Sequence, residues 1–252
     1  MVPGDVAAFG RGVASELRAA LDDGLLGVYF VGSVALGGYV AGESDIDIVG
    51  VSEHPVPPEL KPVIAGAVAD YATACPTRGL EFTLYRREVT RALPESADFE
   101  VNANGGPRMA RSLHLGSGTE PGFWYVLDRA IARRAGIAIA GPPPSELFSD
   151  VPRETLLNAM RESMRWHREH EGATLYSVLN ACRAWRYADD DVLGPKLEGA
   201  TWARPRWARP ELIDSAVALR HGQTGDLRAC QVNELLGHVE GLLSSAMVRQ
   251  RL

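Results

Sequence analysis

A run of three prolines, Pro142-Pro143-Pro144, divides this chain of 252 residues into two parts that obey different periodicities. Proline fixes φ and lacks an amide proton, so three in succession end whatever element precedes them. Before the run, short apolar stretches rich in β-branched and aromatic residues read as strands: LLGVYFVG (25–32), SDIDIVGV (44–51), LEFTLY (80–85) and FEVNAN (99–104). IAIAG (137–141) adds a short edge strand or tail. After the run the strand pattern disappears. Helices fit 153–171, 174–190, 209–221 and 224–249, the first introduced by Asp150, Pro152 and Glu154. Strands first and helices second predict an α+β fold. A mixed β-sheet domain with flanking helices is expected over 1–145, and an all-α helical bundle over 146–252.

Within the first part, Phe9, Val13, Leu17 and Leu21 recur every fourth residue and predict a helix, capped by Asp5 and stopped by Gly24. Further helices are expected over 57–74, starting at Pro57-Pro58, and around 120–135. In LEFTLY, Leu80, Phe82 and Leu84 face one side of the strand and Glu81, Thr83 and Tyr85 the other.

The stretch that carries chemistry is FVGSVALGGYVAGESDIDIVGV. Gly32-Ser33 is followed by ten residues and then by Ser44-Asp45-Ile46-Asp47. A glycine lets the backbone approach a phosphate closely, and Ser33 offers a hydroxyl beside exposed amides at a helix start. Asp45 and Asp47, one residue apart on a strand, project from the same face, while Ile46 points into the core. Two carboxylates at about 4–5 Å repel each other unless a cation lies between them. Mg²⁺ suits the site best, because it accepts one or two carboxylates and completes its octahedron with phosphates and water. Glu81 qualifies by parity as a third carboxylate and as general base for an attacking hydroxyl. Two ions about 4 Å apart would stabilise the attacking and leaving oxygens.

These residues resemble the polymerase-beta-type nucleotidyltransferases, whose signature is G-S, about ten residues, S-D-x-D, and a later strand carboxylate. Similarity is closer to the aminoglycoside 3″-nucleotidyltransferases that adenylylate streptomycin and spectinomycin. LEFTL places Glu81 where that family keeps its catalytic Glu, and DRAIARRAGIAIAGPPPSELF (128–148) is similar to its domain junction. Trp166, Arg183-Ala-Trp185 and Gly194-Pro195-Lys196 follow in comparable order. The resemblance implies a nucleotidyltransferase-type sheet domain. Asp45, Asp47 and Glu81 would be catalytic and hold two Mg²⁺ ions. Gly32, Ser33, Ser44, Arg183 and Lys196 would hold ATP, the co-substrate. Trp166, Glu169 and Glu171 would grip a polycationic acceptor, the carboxylates pairing with ammonium groups and the indole offering a flat apolar face.

The expected activity is therefore Mg²⁺-dependent transfer of AMP from ATP to a hydroxyl of an aminoglycoside-type antibiotic, with release of pyrophosphate. The alternatives are transfer to RNA or protein, and a catalytically silent homologue that binds nucleotide or antibiotic. The net charge of −6 counts against RNA, since a nucleic-acid binder displays a basic surplus. The one basic cluster, Arg204, Arg206 and Arg209, lies in the repeat Trp202-Ala-Arg-Pro and Trp207-Ala-Arg-Pro, read as a loop. Cys75, Cys182 and Cys230 are few and scattered, as free thiols in a reducing compartment are. The apolar run Leu25 to Leu36 is broken by Gly and Ser and too short for a bilayer. A cytoplasmic monomer with no membrane or nucleic-acid partner is expected.

Overall fold

The computed structural model describes residues 1–92, 97–118 and 120–249. The chain forms two compact units, Met1–Val151 and Pro152–Leu252. The division falls past the 145/146 boundary read from the prolines. Phe148 explains the difference, since its ring meets Tyr29 edge-on at 5.7 Å and ties the segment after the prolines to the first unit.

The first unit runs α1 (Gly4–Leu21), β1 (Leu25–Phe30), α2 (Gly32–Leu36), β2 (Ile46–Ser52), α3 (Lys61–Tyr71) and β3 (Leu80–Arg86). It continues through α4 (Arg87–Arg91), β4 (Val101–Gly106), β5 (Met109–His114), α5 (Gly122–Ala135), β6 (Ile137–Ala140) and α6 (Pro144–Leu147). The six strands form one sheet in the order β5-β4-β3-β2-β1-β6. Among the described residues only β2 and β3 pair in parallel; the other pairs are antiparallel. IAIAG is the edge strand beside β1.

One face of the sheet packs on α1 and α3. Val6, Phe9, Val13 and Leu17 meet Ile64 and Val68 over Val28, Ile46, Ile48, Leu80, Phe82, Leu84 and Val101. Burying each such side chain stabilises by about 1.5–3 kcal/mol. The alternation in LEFTLY holds. On the opposite face Tyr85 is fully buried, with the Arg129 guanidinium of α5 5.6 Å from its ring centre.

Three readings need correction. Helix α1 starts at Gly4, so Asp5 lies in its first turn, where its charge suits the helix dipole, and does not cap it. Strand β5 was missed because MARSLH lacks the β-branched residues that signal strands. The first Trp-Ala-Arg-Pro copy does not lie wholly in a loop: Trp202 sits in a helix.

The second unit contains α7 (Arg153–Trp166), a five-residue π turn (His167–Glu171), α8 (Leu175–Asp190), α9 (Lys196–Ala203), α10 (Pro210–Arg220) and α11 (Ala229–Arg249). Thr174 caps α8, its Oγ1 accepting from the Ser177 amide at 3.1 Å. Among the described residues no helix is long and apolar enough to cross a membrane.

Candidate active site

Strand β1 delivers the chain to a tight turn. The Val31 amide donates to the Asp47 carbonyl at 3.0 Å, and Gly32 then adopts φ +52°. A Cβ at position 32 would lie 1.8 Å from Asp47 Oδ2, so this position demands glycine on both conformational and steric grounds. The Ser33 amide donates to the same Asp47 Oδ2 at 3.3 Å. Ser33 Oγ is buried and has no hydrogen-bond partner among the described residues. A buried hydroxyl without a partner is costly in a purely structural role and fits a ligand-binding one.

Asp47 and Glu81 are lateral partners in the parallel pairing of β2 and β3, so both side chains leave the same face. Ile46, Ile48, Leu80 and Phe82 are all buried on the other face. Asp47 is half-buried and Glu81 exposed, an arrangement that keeps both carboxylates within reach of a solvated ligand. Glu81 also bears on Tyr125, whose phenol is pushed well above its usual range by burial first, and by the charges of Glu120, Asp128 and Glu81.

Asp45 stands just before β2, half-buried, and its charge adds to the burial that raises the Cys75 thiol. The expected gathering of three carboxylates is met in two members: among the described residues no three of His, Cys, Asp and Glu converge as a metal-ligand set. Like charges keep apart unless a cation compensates them, and Asp47 turns one oxygen to the Ser33 amide instead. The donor chemistry still fits Mg²⁺, with two registered carboxylates, a third two residues upstream and an orphaned hydroxyl alongside.

Ser44, expected among the nucleotide contacts, is fully buried. Its Oγ accepts from the Val40 amide at 3.0 Å, and its carbonyl accepts from Thr77 Oγ1 at 2.6 Å. This serine shapes the turn that presents Asp45; its hydroxyl is not presented to a nucleotide.

In the second unit, Tyr176, Asn180 and Arg183 lie along one stripe of α8. Arg183 donates to Asn180 Oδ1 at 3.2 Å, and the Lys196 ammonium, at the first turn of α9, sits 5.2 Å from the Tyr176 ring centre. The two expected nucleotide cations therefore stand on adjacent packed helices, whose closeness Gly199 permits: a Cβ there would be 2.8 Å from Arg183 Cα.

Trp166 is half-buried, with its ring stacked on His170 at 5.5 Å and 15°. Glu169 is exposed on the π turn. Glu171 is engaged differently. It pairs with Nδ1 of the buried His167 and accepts from Ser177 Oγ at 3.2 Å. Burial pushes its carboxyl upward, but the bonds from His167 and Ser177 more than offset this and hold it below the usual range. The expectation that Glu171 grips a cationic acceptor is thus corrected: His167 occupies it. His167 and Asn180 were missed because a lone His and Asn on a helix carry no spacing signal.

Two of the three arginines of the basic cluster are paired with carboxylates: Arg204 with Asp214 at 2.6 Å and Arg209 with Glu234, while Arg206 lies 3.9 Å over the Trp202 ring. These contacts reduce the local positive charge that favoured RNA.

The sheet order and the Gly32–Asp47–Glu81 arrangement define a nucleotidyltransferase-type fold. The chain superposes on the crystal structure of spectinomycin adenyltransferase AAD(9) from Enterococcus faecialis with ATP and spectinomycin, with a TM-score of 0.74 over 94% of this chain and 98% of that one, at 18% identity. Residues 146–243 match the family model described as "Aminoglycoside adenylyltransferase, C-terminal domain". The chain is 30% identical over 124 residues to an aminoglycoside (3'') (9) adenylyltransferase of Klebsiella pneumoniae, covering 46% of this chain and 47% of the relative. A Rhizobium radiobacter enzyme of the same description is 31% identical over 119 residues, 44% of each chain. The match thus spans about half the length of these curated relatives, and the family resemblance read from the sequence stands.

Proposed function

We propose that this protein transfers AMP from ATP to a hydroxyl of an aminoglycoside-type antibiotic, releasing pyrophosphate. The observation that carries the proposal is the registered pair Asp47 and Glu81 beside the Gly32 turn and the orphaned Ser33 hydroxyl. Asp45, Asp47 and Glu81 would hold Mg²⁺, which supplies charge neutralisation for the triphosphate and for the oxygens that gain charge during transfer. The Ser33 hydroxyl donates to a phosphate oxygen, and Gly32 lets the backbone come close. Glu81, the exposed member of the pair, takes the proton from the acceptor hydroxyl as it attacks the α-phosphorus. From the second unit, Lys196 and Arg183 are assigned to the nucleotide, and Trp166 and Glu169 to the acceptor. The relatives' names and the spectinomycin and ATP of the solved neighbour support this choice of substrates.

The test is to offer Mg-ATP with spectinomycin, streptomycin and further aminoglycosides, and to look for a mass gain of one AMP. Pyrophosphate release that needs both Mg²⁺ and an acceptor is the expected result. No gain on any antibiotic overturns the proposal.

A further inference from the structure

We infer that Asn104 and Ser112, with His114 behind Ser112, form a recognition platform for a polyhydroxylated acceptor, laid out beside Glu81 on the two strands beyond it. The inference rests on the proposed transfer reaction and assigns it specificity residues. Its basis is strand register. Glu81 pairs laterally with Asn104 on β4, and Asn104 with Ser112 on β5. One step along, Thr83 pairs with Asn102 and Asn102 with His114. Lateral partners share a face, so a polar row runs Asp47–Glu81–Asn104–Ser112 across four strands, with Thr83–Asn102–His114 alongside it. The reverse face of β3 and β4 carries the buried Phe82 and Ala103.

The row is internally braced. Asn102 Nδ2 donates to Thr83 Oγ1 at 3.0 Å, and Asn104 Nδ2 donates to Asn102 Oδ1 at 3.0 Å. Asn104 Oδ1 accepts from the Phe82 amide at 3.3 Å, which fixes the orientation of its carboxamide. An amide nitrogen has two protons, so Asn104 keeps a second donor for a ligand. Ser112 Oγ lies 2.9 Å from His114 Nε2, and His114 Nδ1 lies 3.5 Å from Glu120 Oε1. Either atom can donate in the Ser112–His114 bond, and a hydroxyl has one proton and two lone pairs, so Ser112 Oγ keeps acceptor capacity for a hydroxyl or an ammonium. Asn104, Ser112 and His114 are all half-buried, the exposure expected of a contact surface on a sheet.

Reaction geometry selects this side of the sheet. In an in-line displacement the attacking hydroxyl and the leaving pyrophosphate lie on opposite sides of the phosphorus. The Gly32–Ser33 turn puts the triphosphate on the β1 side of Asp47, so the acceptor approaches from the Glu81 side and extends over β4 and β5. Two strand spacings, about 10 Å, separate Glu81 from Ser112, the breadth of a small aminocyclitol or a pair of sugar rings.

The test uses the full chain and whichever of spectinomycin and streptomycin it adenylylates. Asn104→Ala and Ser112→Ala are compared with wild type in KM for that antibiotic and KM for ATP, with thermal melts as a folding control. Each variant should raise the antibiotic KM about tenfold, the loss of roughly one to two hydrogen bonds, and move the ATP KM less than about twofold. Ser112→Thr, which keeps the hydroxyl, should restore most of the loss. Should Asn104→Ala fail to fold, Ser112→Ala on the edge strand decides alone. An unchanged antibiotic KM in the folded variants, or a parallel rise in the ATP KM, overturns the platform and leaves the transfer reaction standing. A wild-type protein that adenylylates neither antibiotic removes the reaction as proposed and the platform with it.

Discussion

Asp47 and Glu81 face each other on parallel strands, and the residues flanking each of them are buried on the opposite side of the sheet. Two carboxylates on lateral partners of strands about 5 Å apart repel, and folding alone gains nothing from that. Glu81→Gln should therefore move activity and stability in opposite directions. Transfer is expected to fall by ~10²–10⁴, the range for losing general-base assistance. In magnesium-free buffer the melting temperature should match or exceed that of wild type. Pyrophosphate release and thermal melts check the two halves; wild-type turnover in the variant would remove Glu81 from the chemistry.

Gly32 tests the same geometry from the turn that follows β1. At φ +52° a non-glycine residue costs on the order of 1–3 kcal/mol, and a Cβ would also displace Asp47 Oδ2. Gly37 supplies the control, since its φ of +76° carries the backbone penalty while a Cβ there meets nothing within 4 Å. Gly32→Ala should lose ATP binding by tenfold or more, in the range for losing a phosphate contact at about 1–3 kcal/mol. Gly37→Ala should lose stability only. Equal ATP affinity in the two variants would contradict a role for the Gly32 turn in holding phosphate.

The proline run, the strand alternation around Asp47 and Glu81, and the G-S…S-D-x-D spacing were legible because each depends on local chemistry that repeats from chain to chain. What stayed hidden depends on register. Asn104 and Ser112 sit beside Glu81 only through the order of β3, β4 and β5, and MARSLH gives no strand signal of its own. The family signature S-D-x-D puts Ser44 at the nucleotide, yet the Val40–Ser44 turn draws its hydroxyl inward. Glu171 looked like a surface carboxylate because sequence does not show that the helix widens into a π turn and brings His167 Nδ1 against it.

Glu100 should dominate the acid sensitivity of the first unit. It is 2% exposed and lies 2.9 Å from both Lys61 Nζ and Arg86 Nη1, with the Val56 amide donating at 3.2 Å. Burial pushes its carboxyl upward, but the hydrogen bonds from Lys61 and Arg86 outweigh that and leave it below the ordinary value. A depressed folded-state value means the stabilisation is fully present above the unfolded value, near pH 4.3–4.5, and drains away as pH falls through the folded one. Glu100→Gln should cost about 3–5 kcal/mol near neutrality, because it strands two cations around a buried site. Urea melts from pH 7 to 3 should show the variant losing less further stability on acidification than wild type. Parallel curves would mean that other carboxylates set the acid limit.

Glu169 and Glu171, two residues apart, are expected to separate cleanly under mutation. The Arg183 guanidinium can only donate, so Asn180 must turn Oδ1 toward it and Nδ2 toward His167. His167 Nε2, 3.0 Å away, is then an acceptor, and its Nδ1–H is left to donate to Glu171. The result is a one-directional chain, Arg183 to Asn180 to His167 to Glu171, in which His167 is 1% exposed. Truncating Glu171 leaves a buried donor without its acceptor, a cost of about 1–3 kcal/mol. Glu171→Ala should thus lower the melting temperature, with little change in antibiotic KM once the protein is folded. Glu169→Ala, on the exposed side of the turn, should leave the melt within about 0.5 kcal/mol of wild type and raise the antibiotic KM. Melts and acceptor titrations on the two variants decide the matter. If Glu171→Ala loses antibiotic affinity without losing stability, the carboxylate grips the acceptor and its bond to His167 does not hold in solution.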